Sequence, residues 1–247
     1  MATITVIHDV DVQRRGDGSA PADNEGDFRD AHVEESVPNQ NSNHTQFDSG
    51  TQEDGKNGNT EIRAFILFNL NFYLPADAVI IATIWHFKVV LTDTVADQLF
   101  YIKRCTRTDW VETQVSWNNY KTGAAWTTAG GDMAPPEVTL DALTTTGWKS
   151  FDIKTLVDDA WDTRSGILTF VMFRKHDVDG DLAGEVAIDA KNKHTFDVAD
   201  PHHLRITYTL DSKTFEAFVF DGIEAAGRTW KRGKPVSQPI PVHQLGI

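Results

Sequence analysis

The chain has 247 residues, 40% of them hydrophobic, so it is long enough to bury a sizeable core. It has 36 Asp and Glu residues against 23 Lys and Arg residues, and its formal net charge is −13. This charge repels nucleic acid and anionic membranes at long range, so we expect neither as a partner. Cys105 is the only cysteine, which excludes an intramolecular disulfide.

The amino-terminal region is a poor candidate for a core. Residues 3–12 alternate weakly and could form a short strand, whereas residues 14–30 are rich in Gly, Asp, Ala and Pro. We assign residues 1–27 to an arm and linker. The first residues have neither the basic nor the apolar region of a secretory signal, so export by that route is not expected. Residues 37–60 are almost wholly polar and cannot bury a core by themselves.

Four segments further along have the patterns of strands in a sandwich. Residues 62–70 and 166–173 are almost continuously hydrophobic, as expected of strands covered on both faces. Residues 204–210 alternate between apolar and polar side chains. The fourth segment also alternates, and we expect its apolar members to face inward: Trp85, Phe87, Val89 and Leu91.

One helix is predicted after Asp152, whose carboxylate can cap its first turn. Its apolar stripe consists of Ile153, Leu156, Val157, Ala160 and Trp161. Many short strands with a single short helix predict an all-β fold, a two-sheet jelly-roll β-sandwich with amino- and carboxy-terminal extensions.

A tryptophan motif stands at residues 110–118, with the sequence Trp-Val-Glu-Thr-Gln-Val-Ser-Trp-Asn. Indoles are large apolar anchors that each need one acceptor when buried. We expect Trp110 and Trp117 to be buried, with Glu112, Ser116 or Asn118 satisfying their N–H groups. Trp161 is assigned to the core with them.

This motif resembles the DNRLRE-domain family, which overlaps the carbohydrate-binding modules known for binding alginate. The resemblance extends over residues 28–210, where further segments follow in the family's order: residues 30–33, 39–41, 63–70, 148–153 and 201–208. It implies a jelly-roll domain over residues 28–210 and a glycan as ligand. Asp189, Ala190 and Lys191 stand where the family usually has Ser-Arg-Glu.

Three aromatic residues are candidates for stacking against sugar rings: Trp126, Tyr120 and Trp148. An indole or phenol face can contact sugar C–H groups while neighbouring polar groups bind hydroxyls. Burial in the core is the competing interpretation for these side chains.

A cation site is the other candidate from the residues alone. Asp177, Asp179 and Asp181 are spaced two residues apart, and carboxylate oxygens are calcium ligands. The stretch is not an EF-hand, because Leu182 and Ile188 occupy the positions that need Gly and Glu. A plain acidic hairpin turn is the alternative, so the expected cofactor is none or calcium.

The carboxy-terminal tail, residues 211–247, lies beyond the resemblance and combines aromatic residues, basic residues and spaced prolines. We interpret it as a docking tail that lies extended on a partner subunit. The residues expected to make this contact are Phe215, Phe218, Phe220, Arg228, Lys231, Arg232 and Lys234.

No catalytic motif is present, so the sequence predicts a protein that is not an enzyme. The favoured interpretation is a structural or adhesive protein of a virus particle, a bacteriophage capsid decoration or tail-associated protein. Its partners would be virion subunits and a cell-surface glycan, and its location the virion surface. The alternative is an extracellular carbohydrate-binding module of a polysaccharide-degrading system.

Overall fold

Strands dominate the regular structure of the chain. The computed structural model describes residues 3–8, 28–41, 51–57, 60–72, 74–92, 99–174, 184–189, 203–210 and 213–220. The strands are β1 (Thr3–His8), β2 (Phe28–Glu34), β3 (Thr51–Asn57), β4 (Thr60–Asn69), β5 (Val79–Thr92), β6 (Leu99–Cys105), β7 (Asn119–Lys121), β8 (Ala124–Ala125), β9 (Met133–Ala142), β10 (Gly147–Asp152), β11 (Ile167–Arg174), β12 (Gly184–Asp189), β13 (His203–Leu210) and β14 (Lys213–Phe220). One helix, α1 (Lys154–Thr163), and a 3-10 turn, Leu70–Phe72, complete them.

Twelve of the strands form one hydrogen-bonded sheet that folds over into two layers. The first layer runs β1-β14-β13-β5-β10, and the second runs β2-β4-β11-β6-β9. The strands β12 and β3 pair with each other and connect β5 to β4. Trp85 of β5 meets Phe170 of β11 edge-on across the space between the layers, with ring centroids 5.1 Å apart. The predicted all-β sandwich is confirmed, and its jelly-roll strand order stays a prediction.

The main core fills the space between the two layers. Its members alternate along the strands of both layers and include Ala64, Ile66, Phe68, Phe100, Ile102, Leu168, Phe170 and Met172 from the second and Trp85, Phe87, Val89, Leu204, Ile206 and Tyr208 from the first. Burial of these side chains is the main driving force for closing the sandwich.

Helix α1 packs against the main core through the predicted stripe, whose buried members are Ile153, Leu156, Val157 and Ala160. Ile153 precedes the first helical residue, and the Asp152 carboxylate accepts a hydrogen bond of 2.8 Å from the backbone N–H of Lys154. Trp161 is only half-buried, and its indole N–H donates to the carbonyl oxygen of Ala78 at 3.1 Å.

The predicted inward position of Leu91 is wrong, because its side chain is 51% exposed. Ile188 pairs with Val89 while Ala187 pairs with Leu91, so Val90 is an extra residue in β5. Such a bulge reverses the alternation of inward and outward side chains beyond it. Periodicity in the sequence cannot reveal where a bulge interrupts it.

The sheet continues past residue 210. Strand β14 pairs antiparallel with β13, and the amino-terminal strand β1 pairs parallel with β14. Phe215, Phe218 and Phe220 lie on β14, although their side chains are outside the described residues. The basic residues of the predicted docking tail also lie outside them: Arg228, Lys231, Arg232 and Lys234.

Candidate functional site

The outer face of the second layer carries a second core, covered by residues 106–132, which we call the cover segment. The strands contribute Ala31, Val33, Phe65, Leu67, Tyr101, Cys105, Val171 and Phe173, and the cover segment contributes Trp110, Val115, Trp117 and Trp126. Alternate residues of β4 and β11 belong to the main core and to the second core. Both strands are therefore covered on both faces, as their near-continuous hydrophobicity predicts.

Trp110 anchors the cover segment and is fully buried, as the motif predicts. Its ring meets Phe65 edge-on at a centroid distance of 6.0 Å. Its indole N–H donates to the Thr169 hydroxyl of β11 at 3.1 Å. We expected this acceptor within the motif, but β11 supplies it from 59 positions away in the chain.

Trp117 is 7% exposed and lies beneath a guanidinium group. The Arg63 guanidinium carbon is 4.9 Å from the centroid of this indole, close enough for a cation–π contact. Arg63 also donates to the Gly130 carbonyl oxygen at 2.8 Å and pairs with Glu61 at 2.7 Å. Arg63 of β4 thereby contacts the cover segment near its centre and near its carboxyl end.

The asparagine-rich turn after β2 also holds the cover segment in place. The Asn41 side-chain amide donates to the carbonyl oxygens of Glu112 and Val115, at 2.9 and 2.7 Å. The Asn118 amide donates to the Asn39 side-chain oxygen at 2.9 Å. Glu112 itself is only 4% exposed, so its structural assignment agrees with its position.

The structure corrects the proposal that Trp126 stacks against sugars, because this side chain is only 6% exposed. Its ring stacks on Phe65 with centroids 5.1 Å apart, and its N–H donates to the Ser116 carbonyl oxygen at 2.9 Å. An indole with one face on another ring and its donor satisfied is a core residue.

Tyr120 lies beside Trp126, at a centroid distance of 5.5 Å, and is half-buried at the surface of the cover segment. Two cations approach its ring: the Arg107 guanidinium carbon at 4.5 Å and the Lys121 ammonium nitrogen at 5.2 Å from the centroid. Lys121 also pairs with Asp109 at 2.7 Å. This hydrogen bond lowers the pKa of Asp109 and raises the pKa of Lys121.

A polar cleft opens next to this ring, with a volume of about 430 Å³. It is lined by Thr106, Arg107, Thr127, Thr128, Asp132 and Met133. Its carboxylate, Asp132, accepts a hydrogen bond from the Thr128 backbone N–H at 2.8 Å and lies 3.6 Å from Arg107. Partial burial alone would raise the pKa of Asp132, but hydrogen bonds from Thr128 and Thr127 and the Arg107 charge lower it overall.

Trp148 lies on the opposite side of the sandwich, so the three aromatic candidates do not form one site. It is 43% exposed and pairs with Lys88 across β10 and β5, on the outer face of the first layer. Tyr120 does not line the polar cleft itself, but its ring contacts Arg107, which does. Arg107, Thr127, Thr128 and Asp132 were missed, because they meet only when β6 pairs with β9.

Asp177, Asp179 and Asp181 lie outside the described residues, and within those residues no group of three His, Cys, Asp or Glu could hold a metal ion.

Cys105 is fully buried in the second core, and burial raises its thiol pKa to about 12. None of the helices in the described ranges is long and apolar enough to span a membrane.

A scan against protein-family models gives no match to this chain, and a search of the curated proteins gives none either. The family resemblance therefore rests on the residue patterns alone. The lining of the cleft combines one cation, Arg107, with threonine hydroxyl groups and one carboxylate, and Arg107 also contacts the face of Tyr120.

Proposed function

We propose that this protein is a non-catalytic adhesive β-sandwich that binds an acidic polysaccharide in the polar cleft beside Tyr120. The observation that carries the proposal is that Arg107, which lines the hydroxyl-bearing cleft, also lies over the half-buried ring of Tyr120, which Lys121 approaches as well. Sugars with carboxylate groups need these three chemistries together: a cation, hydrogen-bonding hydroxyls and a flat apolar face.

Arg107 is the residue expected to bind the ligand's carboxylate. A guanidinium group has five N–H donors in a planar fork that matches a carboxylate. Its 3.6 Å distance from Asp132 is longer than the 2.7 Å between Lys121 and Asp109, so the Arg107 pairing is the weaker of the two. The resemblance to alginate-binding modules supports a uronate polymer as the ligand.

The test is electrophoresis of the folded protein in gels that contain alginate. We expect alginate to retard the wild-type protein, and Arg107→Gln to weaken binding about tenfold by removing a charge-assisted hydrogen bond. Lys149→Gln is the matched control, because it removes the same charge from the other layer. Equal retardation of wild type and Arg107→Gln would reject the cleft as the binding site.

The absence of catalysis is tested on the same polymer. Prolonged incubation with alginate should leave its viscosity and its number of reducing ends unchanged. Release of shortened chains, abolished by a cleft substitution, would reassign the protein as an enzyme.

We also propose a second candidate function, as a structural component of a virus particle such as a bacteriophage decoration or tail-associated protein. The supporting observation is that the chain's terminal strands β1 and β14 are neighbours at one end of the sheet. Because the two strands run parallel, their carboxyl ends lie side by side, with His8 opposite Val219, and a partner subunit could engage there the residues that follow each strand. Because β14 belongs to the sheet, the deletion that tests this role is residues 221–247.

The deletion variant should keep the melting temperature and the alginate binding of the full chain, while particles assembled with it should lack the protein. Normal incorporation of the shortened chain would contradict a docking role for these residues.

A further inference from the structure

The outer face of the first layer differs in composition from both cores and from the cleft. We call it the open face and define it by the outward side chains of β10, β5 and β13, namely Trp148, Ser150, Lys88, His86, Ile84 and Arg205. Trp148 is the only tryptophan in the described residues that is largely exposed, at 43%. Burying the exposed part of this indole in water-free contact with a ligand would be favourable.

The strand register arranges these residues in rows. Trp148 is directly opposite Lys88, and Ser150 is directly opposite His86, so each pair shares the outer face. Residues two apart on one strand are spaced by roughly 6.5 Å along it. The Ser150 hydroxyl and the His86 ring nitrogen are 2.7 Å apart, within hydrogen-bonding distance. The aromatic ring of Trp148 and the hydrogen-bonded pair of Ser150 and His86 are therefore two residues apart along β10.

We infer that the open face is a second glycan site, which takes an uncharged linear oligosaccharide lying along β10. One sugar ring stacks on Trp148, and the hydroxyls of the next ring meet Ser150 and His86. The site shares no residue with the polar cleft, so it goes beyond the proposed function and does not depend on it. Sites on opposite faces of the sandwich allow one molecule to join two different polysaccharide strands.

The charges and the polarity of the open face favour this occupant over others. Lys88 and Arg205 are accompanied by exposed Asp152, so charges of both signs face the ligand, which does not suit a polyanion. A docking surface for a protein needs a contiguous apolar core. Here Trp148 has polar neighbours, and the other exposed apolar residues of β5 lie towards its two ends: Val79, Ile81 and Leu91.

The test is electrophoresis in gels that contain one uncharged polysaccharide each: hydroxyethylcellulose, galactomannan or dextran. We expect at least one of them to retard the wild-type protein, and Trp148→Ala to weaken that binding about tenfold or more, as loss of a central aromatic contact does. Trp148→Phe keeps a flat ring and should retain part of the affinity. Arg107→Gln, which tests the acidic-glycan cleft, should bind the uncharged polymer as the wild type does.

Three results would overturn the inference. The first is a wild-type protein that none of the three polymers retards, and the second is unchanged binding by Trp148→Ala. The third is a lower apparent mass of Trp148→Ala in size-exclusion chromatography, because the open face would then be covered by a second copy of the chain. Arg107→Gln tests only the cleft, through its effect on alginate binding. Failure of the cleft proposal is therefore distinguishable from failure of the open-face proposal.

Discussion

The two outer faces of the sandwich are both built from paired strands, but one face is buried by the cover segment and the other carries exposed side chains. On the second layer the outward residues are large and apolar, including Phe65, Leu67 and Phe173, and the cover segment buries them. On the first layer the outward residues include Lys88, His86 and Ser150, and the exposed indole of Trp148 is their largest apolar neighbour. Whether a strand alternates or is hydrophobic throughout is therefore decided by what lies outside its layer.

The same comparison explains why the tryptophan side chains differ in exposure. Trp110, Trp117 and Trp126 are anchors of a segment with almost no regular structure, and each is at most 7% exposed. A long irregular segment has little strand pairing of its own, so its backbone N–H and C=O groups need other hydrogen-bond partners and its apolar side chains must hold it to the sheet. Trp148 belongs to a strand that is already paired, and its side chain is 43% exposed.

The largest expected effect comes from removing an anchor of the covered face. Trp110→Ala should lower the free energy of unfolding by about 3–5 kcal/mol, because it deletes a fully buried indole and removes the hydrogen bond that this indole donates to the Thr169 hydroxyl. Trp148→Ala is the matched control on the open face and should change stability by less than about 1 kcal/mol. Urea unfolding followed by circular dichroism measures both.

The reaction rate of the Cys105 thiol gives an independent measurement on the Trp110→Ala variant. Its buried thiol, with a pKa of about 12, should react very slowly with a thiol reagent at pH 8 in the wild-type protein. Trp110→Ala should accelerate this reaction, and Trp148→Ala should not. Equal stability and equal labelling rates in the two variants would show that the tryptophan motif does not hold the cover.

A smaller effect is expected from two glycines that share a left-handed backbone. Gly131 has φ +114°, and an added Cβ would lie 2.6 Å from the Phe65 ring, whereas Gly147 has φ +106° and open space around it. Both substitutions to Ala introduce backbone strain, but only Gly131→Ala also overpacks the second core. We expect it to cost about 1–3 kcal/mol more than Gly147→Ala in thermal unfolding. Equal losses would mean that the cover can shift away from Phe65 freely.

The smallest expected effect is a pH dependence of the cleft. The folded-state pKa values of Asp109 and Asp132 are lower than ordinary, so their contribution to stability is present above the unfolded pKa of about 3.9. It is lost as the pH falls through the folded-state values. Asp132→Asn should therefore destabilise the protein at pH 7, and its difference from wild type should shrink below about pH 3.9. A difference in melting temperature that stays constant down to pH 2 would contradict this role.

Much of the fold was predictable because its signals are local. The hydrophobic runs of β4 and β11, the alternation of β13 and the apolar stripe of α1 each lie within one element, and the structure has all four. The bulge at Val90 was not predictable, since it depends on how β5 meets β12. The parallel pairing of β1 with β14 joins opposite ends of the chain, and no short-range pattern indicates it.

The site was less predictable for a related reason. The sequence indicates that aromatic residues are present, but exposure depends on which strand or core lies behind each ring. Trp126 and Tyr120 are six positions apart, yet one ring is buried against Phe65 and the other is half-buried and contacts Arg107. Arg107 gave no signal, because its partner Asp132 is 25 positions away and arrives only through the pairing of β6 with β9.

Hydrogen–deuterium exchange of the full chain, with and without a uronate oligosaccharide prepared from alginate, tests the proposed function most directly. Binding in the polar cleft should slow exchange in peptides covering residues 106–132, while peptides covering residues 84–89 and 147–152 of the open face should exchange at unchanged rates. Slower exchange confined to the open face would place the acidic ligand on Trp148. An unchanged pattern over the whole chain at saturating oligosaccharide would contradict acidic-glycan binding altogether.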